Sequence, residues 1–410
     1  MSIDTKPDPL ALHRPETYVD APPHDLFTRL RREEPVVFQE MEDEPGYWAV
    51  LRHADVVHVA KHPEIFSAHK GGVVIENLDP PGLAQMRDML LAMDPPRHTA
   101  YRQPISPEFK ARVIGAMEER IRTITTEILD RAEVLAEEAE GREVEFVHDV
   151  CAHLPSQVVG ELMGLPQQDW PAIHAMAERN SGGQDPDIAA AEERGSSSID
   201  MAMYAMAFAA NRRNEPLQGD LTDLLLGTEF DGKLMTDIDF GRFFVQVVTA
   251  GNDTTRTMLS SGLLALLRHP DQLQLLRDDR ALMPKAVEEI LRWANPLHYF
   301  RRTALVDTEI GCKKIAAGDK VAMIYTSANR DEAVFENPQE FDITRDPNHH
   351  LSFGFGAHFC LGVHLARLEG RVFFDEVLKR WSHIELTGEP KRQQSNLNNS
   401  LKHLPVRLVR

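Results

Sequence analysis

The chain has 410 residues, 42% hydrophobic and 27% charged, with 45 Lys+Arg against 64 Asp+Glu and a net charge of −19. That composition suits a globular protein with a large core, and the negative charge disfavours nucleic acid and anionic membranes as partners. Three cysteines argue against a disulfide framework, and the lack of a signal-like start or a run of about 18 apolar residues leads us to expect a cytoplasmic protein.

Residues 1–22, rich in Pro and Asp, are expected to wander over the surface, leaving 23–410 as a single domain. Residues 46–58 alternate like a short strand leading into a helix. Residues 69–96 form a long connection broken by Gly and Pro. An acidic amphipathic helix is predicted near 115–140, where Met117, Ile121, Ile124, Ile128 and Leu129 fall at helical spacing. The Gly/Ser-rich stretch 180–200 suggests a mobile loop. The longest helical pattern covers 236–268, marked by Phe243, Phe244, Val247, Val248, Leu259, Leu263 and Leu266. A second helix follows at 282–294, then strand-like pieces at 299–310 and 320–326. An irregular loop, 331–360, leads to a last amphipathic helix at 361–381. Helices dominate, strands are short and no βαβ alternation occurs. The expected class is mainly α with a small β-rich side.

Two segments carry chemistry. In Phe353-Gly354-Phe355-Gly356-Ala357-His358-Phe359-Cys360-Leu361-Gly362 the glycines allow a tight turn beside a flat ligand, and Gly362 leaves room for a planar group. Cys360 stands where the last helix begins, and the free amides and positive dipole end there favour a thiolate. The plain alternative is a buried free cysteine. In the long helix, Ala250-Gly251-Asn252-Asp253-Thr254-Thr255 places poor helix formers in an apolar run, a local rule broken as at functional sites. A small residue and Gly make room for a diatomic ligand. A Thr hydroxyl bonds the carbonyl one turn back or turns to a ligand, and the adjacent acid relays protons. The plain alternative there is a kink between two helices.

The cysteine segment resembles the haem-binding loop of the cytochrome P450 family, pattern FxxGxHxCxG, with every position matched. The resemblance runs from about residue 46 to the C-terminus and implies that family's mostly helical fold. It also implies haem b (iron protoporphyrin IX) with Cys360 as the iron ligand, in a loop formed with Phe353, Gly354, His358 and Gly362. Asp253 and Thr254 match the acid and alcohol of the oxygen-activating motif, with Ala250 and Gly251 beside them. Glu289 and Arg292 match a structural pair, with Arg345 as third member. His98, Arg102, Arg302 and His358 match the propionate anchors, Arg301 competing with Arg302 for that place. By family position Thr249, Ala250, Leu297, His298 and Phe300 face the substrate, and His298 would offer it a hydrogen bond. Residues near 73–93 and Met201, Met203 and Met206 form a flexible lid or, for the methionines, ordinary helix core. Cys151 and Cys312 match nothing and are expected to be inert.

The C-terminal third looks most like bacterial members that hydroxylate terpenoids, and members acting on steroids or branched lipids share much of it. The implied reaction is hydroxylation of a compact apolar molecule with O2. Electrons come from an iron–sulfur ferredoxin and an NAD(P)H-dependent reductase, and Lys110, Arg112 and Arg367 are candidate docking cations. A peroxide-driven hydroxylase is the rival enzyme, argued against by Asp253-Thr254, since such relatives commonly carry Arg-Pro there. A haem gas sensor or electron carrier is the rival outside enzymes and would need no proton relay.

Overall fold

A computed structural model describes residues 12–182, 184–188, 191–230 and 232–410. Its central element is the helix Asp237–Arg268. Thr236 caps it by accepting the Asp239 amide proton while the Asp239 carboxylate accepts from the Thr236 amide, so two orphan donors are satisfied reciprocally. Every residue from Thr255 to Leu266 is buried. Among its polar residues, Ser260 donates to the Arg256 carbonyl, and the Thr257 and Ser400 hydroxyls pair. Helices His153–Leu162, Ala191–Arg212, Met283–Ala294 and Val363–Arg380 surround this one. One apolar core, running from Leu90 to Leu408, joins them.

The β-rich side is built on β1 (Val36–Gln39), β2 (Tyr47–Val50), β3 (Phe66–Ser67), β4 (Tyr299–Ala304) and β5 (Lys320–Ile324), in the order β1-β2-β5-β4-β3. Only the β5–β2 pairing is parallel. The register sets Arg302 opposite Val321 and Arg301 opposite Ala322, so the two arginines leave opposite faces of β4. A separate sheet joins His383–Leu386, Pro405–Val409 and Glu143–Glu145.

Four expectations change. Residues 1–11 of the wandering segment lie outside the described residues, but from Leu12 the chain is fastened down. Leu12 and Tyr18 are buried with Phe27, Tyr47 and Tyr299, because an aromatic and a leucine there complete an apolar layer that Pro and Asp content hid. The 180–200 loop is mostly helix, with Trp170–Ser181 before it and Ala191–Arg212 after. Between them Asp185 is buried and held by Lys402 and the Gln394 amide. The 69–96 connection contains a helix, Pro80–Arg87, capped by the Asp79 side chain and opened by Pro at its first position. The strand-like stretch 299–310 divides at Ala304, after which Thr308–Ile310 and Lys313–Ile315 make a hairpin.

Candidate active site

The cysteine loop folds on itself around its glycines. Gly354 and Gly356 both stand at φ +71°, a region open to Gly at no steric cost. A Cβ on Gly356 would strike the Ala60 carbonyl, whereas one on Gly362 would meet nothing within 4 Å. The Cys360 amide donates to the Phe353 carbonyl at 2.9 Å, and the helix Val363–Arg380 starts just beyond. Burial pushes the Cys360 thiol up, opposed by the Gly362 amide and by Arg102 and Arg367.

A fully buried ion pair locks the approach to this loop. Arg292 donates to both carboxylate oxygens of Glu289, at 2.8 and 2.7 Å, and neither side chain has exposed surface. Its other donors reach the carbonyls of Asn329, Pro338 and Glu340, while Glu289 also accepts from Arg345, Asn348 and the Asp342 amide. The expected trio, Glu289, Arg292 and Arg345, is therefore brought together, and it ties a helix to backbone with no ladder of its own.

On one side of Cys360 two arginines, Arg102 and Arg302, and two histidines, His98 and His358, gather. The His98 and His358 rings stand 4.3 Å apart. Burial holds His98 down at about 4, helped by Arg102 and Arg302. Burial, Arg302, His98 and Arg102 hold His358 down at about 2. His358 Nε2 is buried without a partner. Asp94, the carboxylate that acts on His98 and Arg302, is itself held by Ser67 and the Ala68 and His69 amides. Arg301, by contrast, reaches from the other face of β4 to the carbonyls of Val74, Ile75 and Glu76.

The long helix opens only on one face near its middle. Val247 and Thr254 are half-buried and Ala250 is exposed, while Val248, Asn252, Asp253 and Thr255 are buried. Spacings of three and four put Val247, Ala250 and Thr254 in one stripe. The Thr254 hydroxyl donates to the Ala250 carbonyl at 2.8 Å, one turn back. Thr255 bonds Glu369, on the helix that follows Cys360, so the two functional segments lie side by side. Gly251 serves a different purpose from the expected opening. A Cβ there would lie 2.7 Å from Val159 Cγ2, so its smallness allows a helix crossing.

Comparison with known proteins agrees with this arrangement. The family model "Cytochrome P450" matches residues 199–408. Linalool 8-monooxygenase of Pseudomonas putida is 37% identical, over 97% of this chain and 98% of that protein. A methyl-branched lipid omega-hydroxylase of Mycobacterium tuberculosis is 38% identical, over 93% and 90%. This chain is a cytochrome P450. A Mycobacterium marinum cytochrome P450 solved with pseudoionone superposes with a TM-score of 0.86 at 36% identity, covering 93% of this chain and 94% of that one. As a P450 it is an oxygen-incorporating monooxygenase, and its cofactor is haem b bound through a cysteine thiolate.

The residues present fit that cofactor. Two arginines around a single occupied carboxylate leave an excess of positive charge, and two neutral histidines add hydrogen-bonding nitrogens, a set suited to two propionates. The partnerless His358 Nε2 is a donor waiting for an acceptor. The space over Gly362 and the half-buried Cys360 sulfur suit a flat group lying on the loop.

Other expected positions of this P450 divide. Thr249, Leu297 and Phe300 are half-buried, and Thr249 accepts a hydrogen bond from Asn180. His298 does not line a cavity. It is 1% exposed, its ring tilted against that of Tyr18 at 4.2 Å, and bonded through Nδ1 to Thr326. The left-handed Asn295 and the backbone bond from His298 to Leu397 turn this segment toward the N-terminal chain. Met201 is buried in the core and Met206 lies against Gly241, so these two are helix packing; Met203 is exposed. Lys110 and Arg112 are exposed, but Arg367 is bound by both oxygens of Glu288 and lies over the Phe353 ring. Cys151 is buried and Cys312 exposed, both free.

Two features escaped the sequence. Asp253 is ion-paired with Arg256, which also contacts Glu178. Arg256 was legible three residues on; Glu178 was not. Glu369 is a buried acid pushed up to about 8 by burial, with Thr255 opposing. Its place in the apolar stripe between Leu365, Leu368 and Val372 was the available signal.

Proposed function

We propose that Cys360 supplies the iron ligand, that His98, Arg102, Arg302 and His358 hold the haem propionates, and that the enzyme hydroxylates a compact apolar substrate, a terpenoid. When bound, a thiolate-ligated haem supplies the activation of O2 and the oxidation of an unactivated C–H bond. The chain's own residues supply protons and dryness. The observation that carries the reading is the stripe Val247–Ala250–Thr254, where the long helix turns a small residue and a hydroxyl to open space. Thr254 Oγ1 holds its proton toward the Ala250 carbonyl and delivers it by turning about its side-chain bond. Asp253, next in line, resupplies that hydroxyl. Val247, Leu297 and Phe300 keep water from the substrate side.

Linalool, on which one relative acts, and pseudoionone, bound by a structural neighbour, are terpenoids and favour that substrate class. Electrons come from a separate iron–sulfur ferredoxin and NAD(P)H-dependent reductase, with Lys110 and Arg112 as exposed cations for docking. Among the described residues no helix is long and apolar enough to cross a membrane, which is compatible with work in the cytoplasm. Two measurements test the reading. Cys360→Ala is expected to abolish the thiolate-type absorbance of the reduced carbon monoxide form. A spin-state titration is expected to respond to linalool and pseudoionone; a response confined to steroids or branched lipids would replace the substrate class. Turnover driven better by peroxide than by ferredoxin would replace the mechanism.

A further inference from the structure

The helix Met283–Ala294 carries two neighbouring carboxylates with different tasks. Glu289 is spent on Arg292 and the loop before Cys360. Glu288 meets Arg367, seven residues beyond Cys360 on the helix Val363–Arg380. Arg367 donates from Nε to Glu288 Oε1 at 2.7 Å and from Nη2 to Oε2 at 2.6 Å, a two-pronged pair. Its guanidinium lies 5.0 Å from the centre of the Phe353 ring. The carbonyl of that same Phe353 accepts the Cys360 amide proton. His350 completes the cluster. Its Nδ1 accepts from the Ser352 amide, and its Nε2 stands 3.2 Å from Glu288 Oε2. A ring that accepts at Nδ1 carries its one proton on Nε2, so His350 is neutral and donates to Glu288. One cation, one anion and a neutral ring therefore lie against the cysteine loop.

The two charges bear unequally on the sulfur. Burial disfavours charge on Cys360, and the Gly362 amide, Arg102 and Arg367 oppose that; of the ion pair, Arg367 is the member that acts there. Burial disfavours charge on Glu288 as well, but His350 and Arg367 hold its carboxyl down at about 2, so it is an anion at neutral pH. A cation near a metal's anionic ligand favours the state that has gained an electron, and a carboxylate paired with that cation offsets it. Arg367 is 29% and Glu288 26% exposed, so water weakens the effect without cancelling it.

We propose that Arg367 and Glu288 are positioning residues that act through Cys360 on how readily the haem iron accepts its electron, Arg367 favouring reduction and Glu288 limiting it. Both roles rest on the reading of Cys360 as the iron ligand. One electron passes from the reduced iron–sulfur cluster of the ferredoxin to ferric iron, leaving an oxidised cluster and ferrous iron. No bond is made or broken, and the pair moves no proton. A pair that only braced the two helices would respond to the loss of either charge in the same way. A pair that acts by charge responds to the two losses with opposite signs.

The experiment is an anaerobic redox titration of the haem-loaded, substrate-free enzyme followed by absorbance, with the reduced carbon monoxide spectrum recorded for each protein. Arg367→Gln is expected to shift the equilibrium toward ferric iron about tenfold, which is about 59 mV for one electron. A proton gained by His350 in that variant would shrink the shift without reversing it. Glu288→Gln keeps an oxygen that accepts from Arg367, so the guanidinium stays over Phe353 while the negative charge is gone. Its shift is expected to run the other way, toward ferrous iron, by about threefold or more. The double variant, Glu288→Gln with Arg367→Gln, is expected to lie between the two singles. Unmoved potentials, shifts of equal sign, reversed signs, or a double variant outside the interval of the singles overturn the inference. If Arg367→Gln does not retain haem, the sign in Glu288→Gln decides. A wild-type carbon monoxide band at the histidine position brings down the ligand reading and this inference with it. Thiolate-type bands throughout, with unmoved potentials, bring down this inference alone.

Discussion

Glu289 and Arg292 have no exposed side-chain surface, so each depends on the other and on the loop that surrounds them. Burying two charges is unfavourable in itself and is offset only when every donor and lone pair is used. Here nearly all are: Arg292 spends its donors on Glu289 and three carbonyls, and Glu289 accepts from two arginines, an amide and Asn348. Glu289→Gln removes the one carboxylate facing Arg292 and Arg345 and leaves both cations buried. The expected cost is about 3–5 kcal/mol, read by urea unfolding, with loss of retained haem because the loop before Cys360 is what the pair holds. A loss under about 1 kcal/mol would mean that shape rather than charge fixes the loop. The pair was legible as a motif, and its burial was implied by the family resemblance alone. The same four letters on a solvated helix face would be worth a few tenths of a kcal/mol.

At the scale of elements, the sequence was clearest where local chemistry and burial agree. The long helix begins at Thr236 because a capping box is written there, and its burial is continuous from Thr255 to Leu266. It was least clear where composition misleads. Gly and Ser between 180 and 200 suggested a loop, yet the stretch from Ala191 is helical. The partners of Met201 and Ala205 in the core decide, and no local signal names them. The network around Asp253 was hidden for the same reason: Glu178 and His148 come from helices some 75 and 105 residues upstream. Gly251 teaches the converse, since its motif position suggested room for a ligand while its neighbour is Val159. Gly251→Ala gains about 1 kcal/mol of helix propensity and loses about 1–3 kcal/mol to overpacking, so the melting temperature is expected to fall slightly. In a Val159→Ala background the clash is gone and the same change is expected to raise it. An equal effect in both backgrounds would show that the crossing with Val159 does not constrain this position.

Across the whole molecule, the histidines that folding buries make stability depend on acid. His298 bridges two parts of the chain distant in sequence, its ring against Tyr18 of the N-terminal segment and Nδ1 on Thr326. At 1% exposure its Nε2 has no partner, and burial, with Arg392 adding, holds its proton affinity down at about 3. The folded chain therefore keeps His298 neutral where the unfolded chain, titrating near 6.5, takes up a proton. Stability from this residue is complete above pH 6.5 and is lost as pH falls from there toward 3. Down to pH 5 the loss is about 2 kcal/mol. His153, held down at about 4 by burial and then His174, adds to the trend, though less firmly because it is only half-buried. His298→Gln has no proton to refuse. Its urea midpoint at neutral pH is expected to drop, since the fit against Tyr18 is disturbed. The informative quantity is the slope: between pH 6.5 and 5 the variant's stability should fall less steeply than wild type, by about 1.4 kcal/mol per pH unit. Equal slopes would mean that folded His298 accepts a proton after all, and that the N-terminal segment opens to let water reach Nε2 before the rest of the molecule unfolds.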